Sequence, residues 1–143
     1  MPQFIMDTSG WVGGQNWDGL SPFEQGFIEA MFFTDTGADS VNPGDLSFGD
    51  IDPAALATIR DECNRFVVAA GDDLDEGCDQ GRIDGYDMTS AGRDFWFSRN
   101  GSGVGFWSRD ELSGGIGDKL DEHAEGFRTL DIYTGDDGRL HVI

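Results

Sequence analysis

Positive charge is what this sequence has least of. Nine lysines and arginines stand against 28 aspartates and glutamates in 143 residues, and Lys119 is the sole lysine. The formal net charge of −19 repels free nucleic acid and anionic membranes, so neither is expected as a direct partner. Histidine is scarce, with only His123 and His141. The two cysteines, Cys63 and Cys78, have no His pair near them, so their spacing offers no zinc site. Cys63 falls on an apolar helical face and is expected as a buried thiol. Cys78 lies among acids, and nothing supports a disulfide between the two. No apolar run reaches membrane-spanning length. Met1-Pro2-Gln3-Phe4-Ile5-Met6-Asp7 lacks the basic start and apolar stretch of a secretory signal. A cytoplasmic protein is the default expectation.

What is present is aromatic. Eleven Phe and four Trp supply core volume, and 22 Gly call for many turns. The length suits one domain, 1–143, with residues 1–19 as an irregular N-terminal arm that docks through Trp11 and Trp17. Ser21-Pro22-Phe23-Glu24 is a capping box that opens a helix through Phe33, with Phe23, Phe27 and Met31 at four-residue steps. Residues 34–51 read as a loop. Asp52-Pro53 caps and starts a second helix, on which Leu56, Ile59, Cys63, Phe66, Val67 and Ala70 keep helical spacing until Gly71 stops it.

Residues 72–87 read as an acidic, solvated loop. A calcium-binding EF-hand frame begun at Asp73 fails, because Gly77 and Cys78 occupy positions five and six and Asp84 stands where Glu is required. Residues 93–107 read as a hairpin around Asn100-Gly101, rich in the aromatic residues that suit strands. This hairpin is expected to organise the core. A third, short helix is expected from about Gly117 or Asp118 to Phe127. A second hairpin follows, Leu130–Thr134 and Arg139–Ile143 around Gly135-Asp136-Asp137-Gly138. The expected fold is α+β: an antiparallel sheet of two hairpins with helices on one face, in the order α-α-β-β-α-β-β.

The sequence offers little chemistry. His123, between Glu122 and Glu125, reads as a solvated helix residue, and His141 as an outward strand residue. Gly101-Ser102-Gly103-Val104-Gly105 does not fit the nucleophile-elbow frame. No nucleophile with its base and no three-ligand metal set is visible, so neither enzyme activity, nor a cofactor, nor a metal is expected.

A resemblance runs through most of residues 20–143. It is carried by Phe23-Glu24-Gln25-Gly26-Phe27-Ile28-Glu29-Ala30 with Phe32-Phe33-Thr34-Asp35, by Asp50-Ile51-Asp52-Pro53, and by Ala91-Gly92-Arg93-Asp94-Phe95-Trp96 with Arg99-Asn100-Gly101. Gly105-Phe106-Trp107 and Asp131-Ile132-Tyr133 with Gly135-Asp136-Asp137-Gly138 complete it. In these stretches the chain resembles a family of small uncharacterised phage-borne proteins. The resemblance implies a bacteriophage or prophage origin and residence in the host cytoplasm. It brings no activity and no functional residues.

Two partner-binding readings follow. In the first, the protein covers a basic host surface, that of a nucleic-acid-binding or defence enzyme, as a DNA mimic. Its acids, spread evenly over about 7,000 Å², give roughly one per 250 Å², too sparse beside duplex DNA with a phosphate per ~1.7 Å of axis. They must therefore gather. The candidates are Asp35, Asp39, Asp45, Asp50, Asp61, Glu62, Asp72, Asp73, Asp75, Glu76, Asp79, Asp84 and Asp87. In the second, a regulatory or structural module binds through a hairpin face bearing Arg93, Trp96, Arg99, Trp107 and Arg109, its acidity serving only solubility or high salt.

Overall fold

The computed structural model describes residues 8–33, 47–101, 104–109, 112 and 115–142. Five helices lie among them: α1 (Pro22–Phe33), α2 (Pro53–Ala69), α3 (Gly71–Gln80), α4 (Met88–Arg99) and α5 (Ile116–Glu125). One two-stranded antiparallel sheet follows, β1 (Ile132–Thr134) with β2 (Leu140–Val142). The chain is thus α+β but mostly helical, and the expected order is corrected to five helices followed by one hairpin.

α1 starts as its sequence dictates. The Glu24 N–H donates to Ser21 Oγ at 3.1 Å, and the Ser21 N–H donates to Glu24 Oε1 at 2.9 Å. α2 is capped by Asp52, whose carboxylate accepts from the Ala54 and Ala55 N–H groups. At Ala70 the backbone leaves helical geometry for one residue, and Gly71 begins α3 where a stop was expected.

The expected first hairpin is instead α4. Asp87 accepts from the Ser90 N–H at 3.0 Å and caps its start. Asn100 ends it, and Gly101 follows at φ +62°. Asn-Gly supplies the same left-handed backbone to a helix end as to a hairpin turn. Aromatic residues favour strands only while packing does not decide otherwise. Here it decides. Gly92, Phe95, Trp96 and Arg99 lie on one helical face and are all buried.

That face meets α1 at two glycines. A Cβ on Gly26 would stand 2.0 Å from the Thr89 carbonyl oxygen, and one on Gly92 would stand 2.0 Å from the Phe23 carbonyl oxygen. The two helices therefore cross backbone to backbone. Around the crossing Phe66 stacks on Phe95 with centroids 4.3 Å apart, Phe27 meets Trp96 edge-on at 5.4 Å, and Phe127 closes on Phe95 at 5.0 Å.

The N-terminal segment turns back at Gly13-Gly14 through a Val12–Gln15 bridge. It docks by buried Val12 and by Trp17, edge-on to Phe48, while Trp11 is exposed. The C-terminal hairpin pairs Ile132 with Val142, Tyr133 with His141 and Thr134 with Leu140. The Asp52 N–H donates to the Leu140 carbonyl at 2.9 Å, which fixes the hairpin to the start of α2.

Candidate functional site

α3 and α5 carry the same charge pattern. On α3, Asp72, Asp75, Glu76 and Asp79 fall at i, i+3, i+4 and i+7, and all are exposed. On α5, Asp118, Asp121, Glu122 and Glu125 repeat that spacing, with Asp121 half-buried and the others exposed. At 3.6 residues per turn each set lies on one stripe of its helix. The opposite faces, with Leu74 and Gly77 on α3 and Ile116, Leu120 and Ala124 on α5, are buried.

The two helices pack against each other in opposite directions. Asp73 reaches His123, with Oδ2 and Nε2 2.9 Å apart, while Gly77 lies against Leu120 and Ile116. A Cβ on Gly77 would stand 3.3 Å from Leu120 Cδ1, so glycine is what lets the helices approach. Each stripe places four charges along about 10 Å of helix axis. A DNA strand places about three phosphates in the same length, so each stripe matches one strand in charge spacing. The helices meet through the faces opposite the stripes, Gly77 against Leu120 and Ile116, so the two stripes look to different sides of the pair.

Several expected acids serve the protein's own fold instead. Glu62 holds the buried Arg99 guanidinium at 2.7 Å. Asp50 accepts the Ser47 N–H at 2.8 Å. Asp73 is the partner of His123, which corrects the reading of that histidine as a solvated helix residue. Asp87 caps α4 yet stays exposed, Asp84 is exposed in the turn after α3, and Asp61 is exposed on α2 beside Arg65. Asp35, Asp39 and Asp45 lie outside the described residues.

The aromatic and arginine surface does not form. Trp96 is fully buried. Arg99 is buried, donating to Glu62 and to the Arg128 carbonyl while lying over the Phe95 and Phe127 rings. Arg93 reaches Glu29 at 3.3 Å. Arg109 grips both oxygens of Asp94, from Nε at 2.9 and 3.0 Å and from Nη2 at 2.6 Å. Trp107 alone of the five is an exposed ring. With α4 in place of a hairpin, Trp96 and Arg99 point inward around a helix rather than outward from a sheet.

Asp94 also accepts from the Tyr86 hydroxyl at 2.8 Å. Burial, and then the neighbouring Asp94 carboxylate, push the Tyr86 hydroxyl far above its ordinary titration range. Burial pushes the Cys63 thiol up as well, with Glu24 adding to the effect, so this cysteine is inert. Cys78, half-buried and free, is raised for the same first reason and lies 3.8 Å from the Met88 sulfur. Tyr86 and Arg109, both outside α4, are thereby tied to that helix through Asp94.

The α5 stripe is the part that sequence reasoning missed. Its signal was present, because residues 118–125 repeat the acid spacing of residues 72–79. Among the described residues no helix is long and apolar enough to cross a membrane. Searches against protein-family models, curated proteins and solved structures find no match to this chain.

Proposed function

We propose that this protein is an acidic docking protein that engages the basic, nucleic-acid-binding surface of another protein through the acidic stripes of α3 and α5. The observation that supports this most is the paired spacing of Asp72, Asp75, Glu76 and Asp79 with Asp118, Asp121, Glu122 and Glu125 on neighbouring helices. Each stripe offers fixed negative charge at the spacing of one DNA strand without bases, so it competes with DNA by charge rather than by sequence. The resemblance to phage-borne proteins makes a host defence or nucleic-acid enzyme the fitting target, met in the host cytoplasm. The role is one of binding, with no reaction of its own.

Like charges at these spacings repel along each helix. The eight pairs three or four residues apart cost about 0.2–0.5 kcal/mol each at low salt, or roughly 2–4 kcal/mol in all. A protein that needed only solubility could scatter its acids and avoid most of that cost.

The test is capture from a bacterial lysate at low and high salt. The wild-type chain is compared with a variant carrying Asp→Asn or Glu→Gln at all eight stripe positions. A basic nucleic-acid-binding protein retained by the wild type at low salt, released at high salt and not retained by the variant is the expected result. Equal retention by both chains would refute the assignment of the stripes.

A further inference from the structure

His141 stands on β2 with a carboxylate at each ring nitrogen. Nε2 lies 3.1 Å from both oxygens of Asp137, and Nδ1 lies 3.8 Å from Asp52 Oδ2. One ligand atom from each of the three residues lies within 4.8 Å of the other two. His141 was expected to face outward; it is half-buried, with Tyr133 stacked on its ring at 5.2 Å. Gly135 gives the ring its place, since a Cβ there would stand 2.7 Å from Nε2 and 2.9 Å from Asp137 Oδ1.

The two nitrogen–oxygen distances differ in kind. The first is a hydrogen bond, and the second is too long for one. When Nε2 donates to Asp137, Nδ1 is left as an acceptor facing the Asp52 carboxylate, an arrangement that a cation shared by the two would satisfy. Two ligands on one tetrahedral ion, with bonds of about 2.0–2.1 Å, stand about 3.4 Å apart, so a closure of a few tenths of an ångström suffices.

Both ligands already have the support that metal ligands need. Asp52 Oδ2 accepts from the Ala54 and Ala55 N–H groups at 3.0 and 3.3 Å. The other ring nitrogen of His141 is turned to Asp137, which is itself held by the Arg139 N–H at 2.9 Å. That N–H first, and then His141, keep the Asp137 carboxyl below the usual carboxylate range. Imidazole beside carboxylate suits a transition-metal ion better than calcium or magnesium.

We propose that Asp52 and His141 Nδ1 bind one divalent transition-metal ion of the zinc type. Asp137 is a positioning residue and water fills the remaining places. The ion joins the start of α2 to the C-terminal hairpin and uses no residue of the α3 and α5 stripes, so this proposal stands or falls independently of the docking role.

The full-length chain is titrated with Co²⁺ in buffer without chelators, reading its visible absorption, and with Zn²⁺, reading the histidine ring protons by NMR. One equivalent of Co²⁺ should give a visible band, and Zn²⁺ should shift the His141 ring signals while those of His123 stay in place. His141→Gln should abolish the band, Asp137→Asn should weaken binding ~10–100-fold, and excess Mg²⁺ should not displace the ion. Unmoved His141 signals at millimolar Zn²⁺, or displacement by Mg²⁺, overturn the proposal and leave His141 as a link between the C-terminal hairpin and the start of α2. The NMR arm uses the wild-type chain, so it decides even if a variant fails to fold.

Discussion

At the scale of single residues, several buried polar groups are joined to one another. Asp94 is the clearest case, with Arg109 on both oxygens and Tyr86 on one. Asp94→Ala leaves a guanidinium and a phenol without their partner. Removing one member of a buried pair costs about 3–5 kcal/mol, and the low end, about 3 kcal/mol, is expected because the Arg109 side chain is 32% exposed and can rehydrate. Urea unfolding measures it. Alkaline pH tests the same region. Unfolded, Cys63 titrates near its ordinary value of 9.0 and Tyr86 near 10.0, whereas folded both keep their protons to higher pH. Their contribution is therefore whole below pH ~9 and is lost as the pH rises, at about 1.4 kcal/mol per pH unit for each group above its unfolded value. Tyr86→Phe should roughly halve the slope of stability against pH above pH ~10. An unchanged slope would show that the phenol titrates normally in the folded chain.

At the scale of elements, the crossing of α1 on α4 sets the architecture. Gly92→Ala would drive a methyl into the Phe23 carbonyl, which cannot swing aside as a side chain can. A loss of at least ~3 kcal/mol is expected, at or beyond the usual range for overpacking, and thermal unfolding would read it. Gly71→Ala is the contrast. It meets nothing within 4 Å and is helical, so it should be neutral or stabilising by up to ~1 kcal/mol. The legibility of the chain follows the same physics. α1, α2 and the last hairpin announce themselves through local chemistry, in Ser21 with Glu24, in Asp52-Pro53, and in the Gly135–Gly138 turn. α3 hides because Asp is a poor helix former and Leu74 is its one large aliphatic anchor. α4 hides because Asn100-Gly101 fits two kinds of chain reversal and because its aromatics mimic a strand. The contacts that decide, such as Gly92 against Phe23, lie far apart in sequence. For the candidate site, the α3 acids are legible as a group, and so is the matching spacing of residues 118–125, but which helix faces stay exposed depends on the fold.

At the scale of the whole molecule, charge dominates. The stripes on α3 and α5 repel within themselves, and salt screens that repulsion. Raising NaCl from 0.05 to 0.5 M should stabilise the protein by about 1–2 kcal/mol, a few degrees in Tm. The variant neutralised at the eight stripe positions should lose most of this gain. Equal salt dependence in the two chains would mean that the strain lies elsewhere on the surface. The account rests finally on whether these stripes take the place of DNA. The most direct measurement follows the anisotropy of a short labelled duplex bound to the captured partner as this protein is added. Displacement of the duplex by the wild-type chain, and none by the eight-position variant, is the predicted result. A duplex that stays bound at saturating wild-type protein would contradict it.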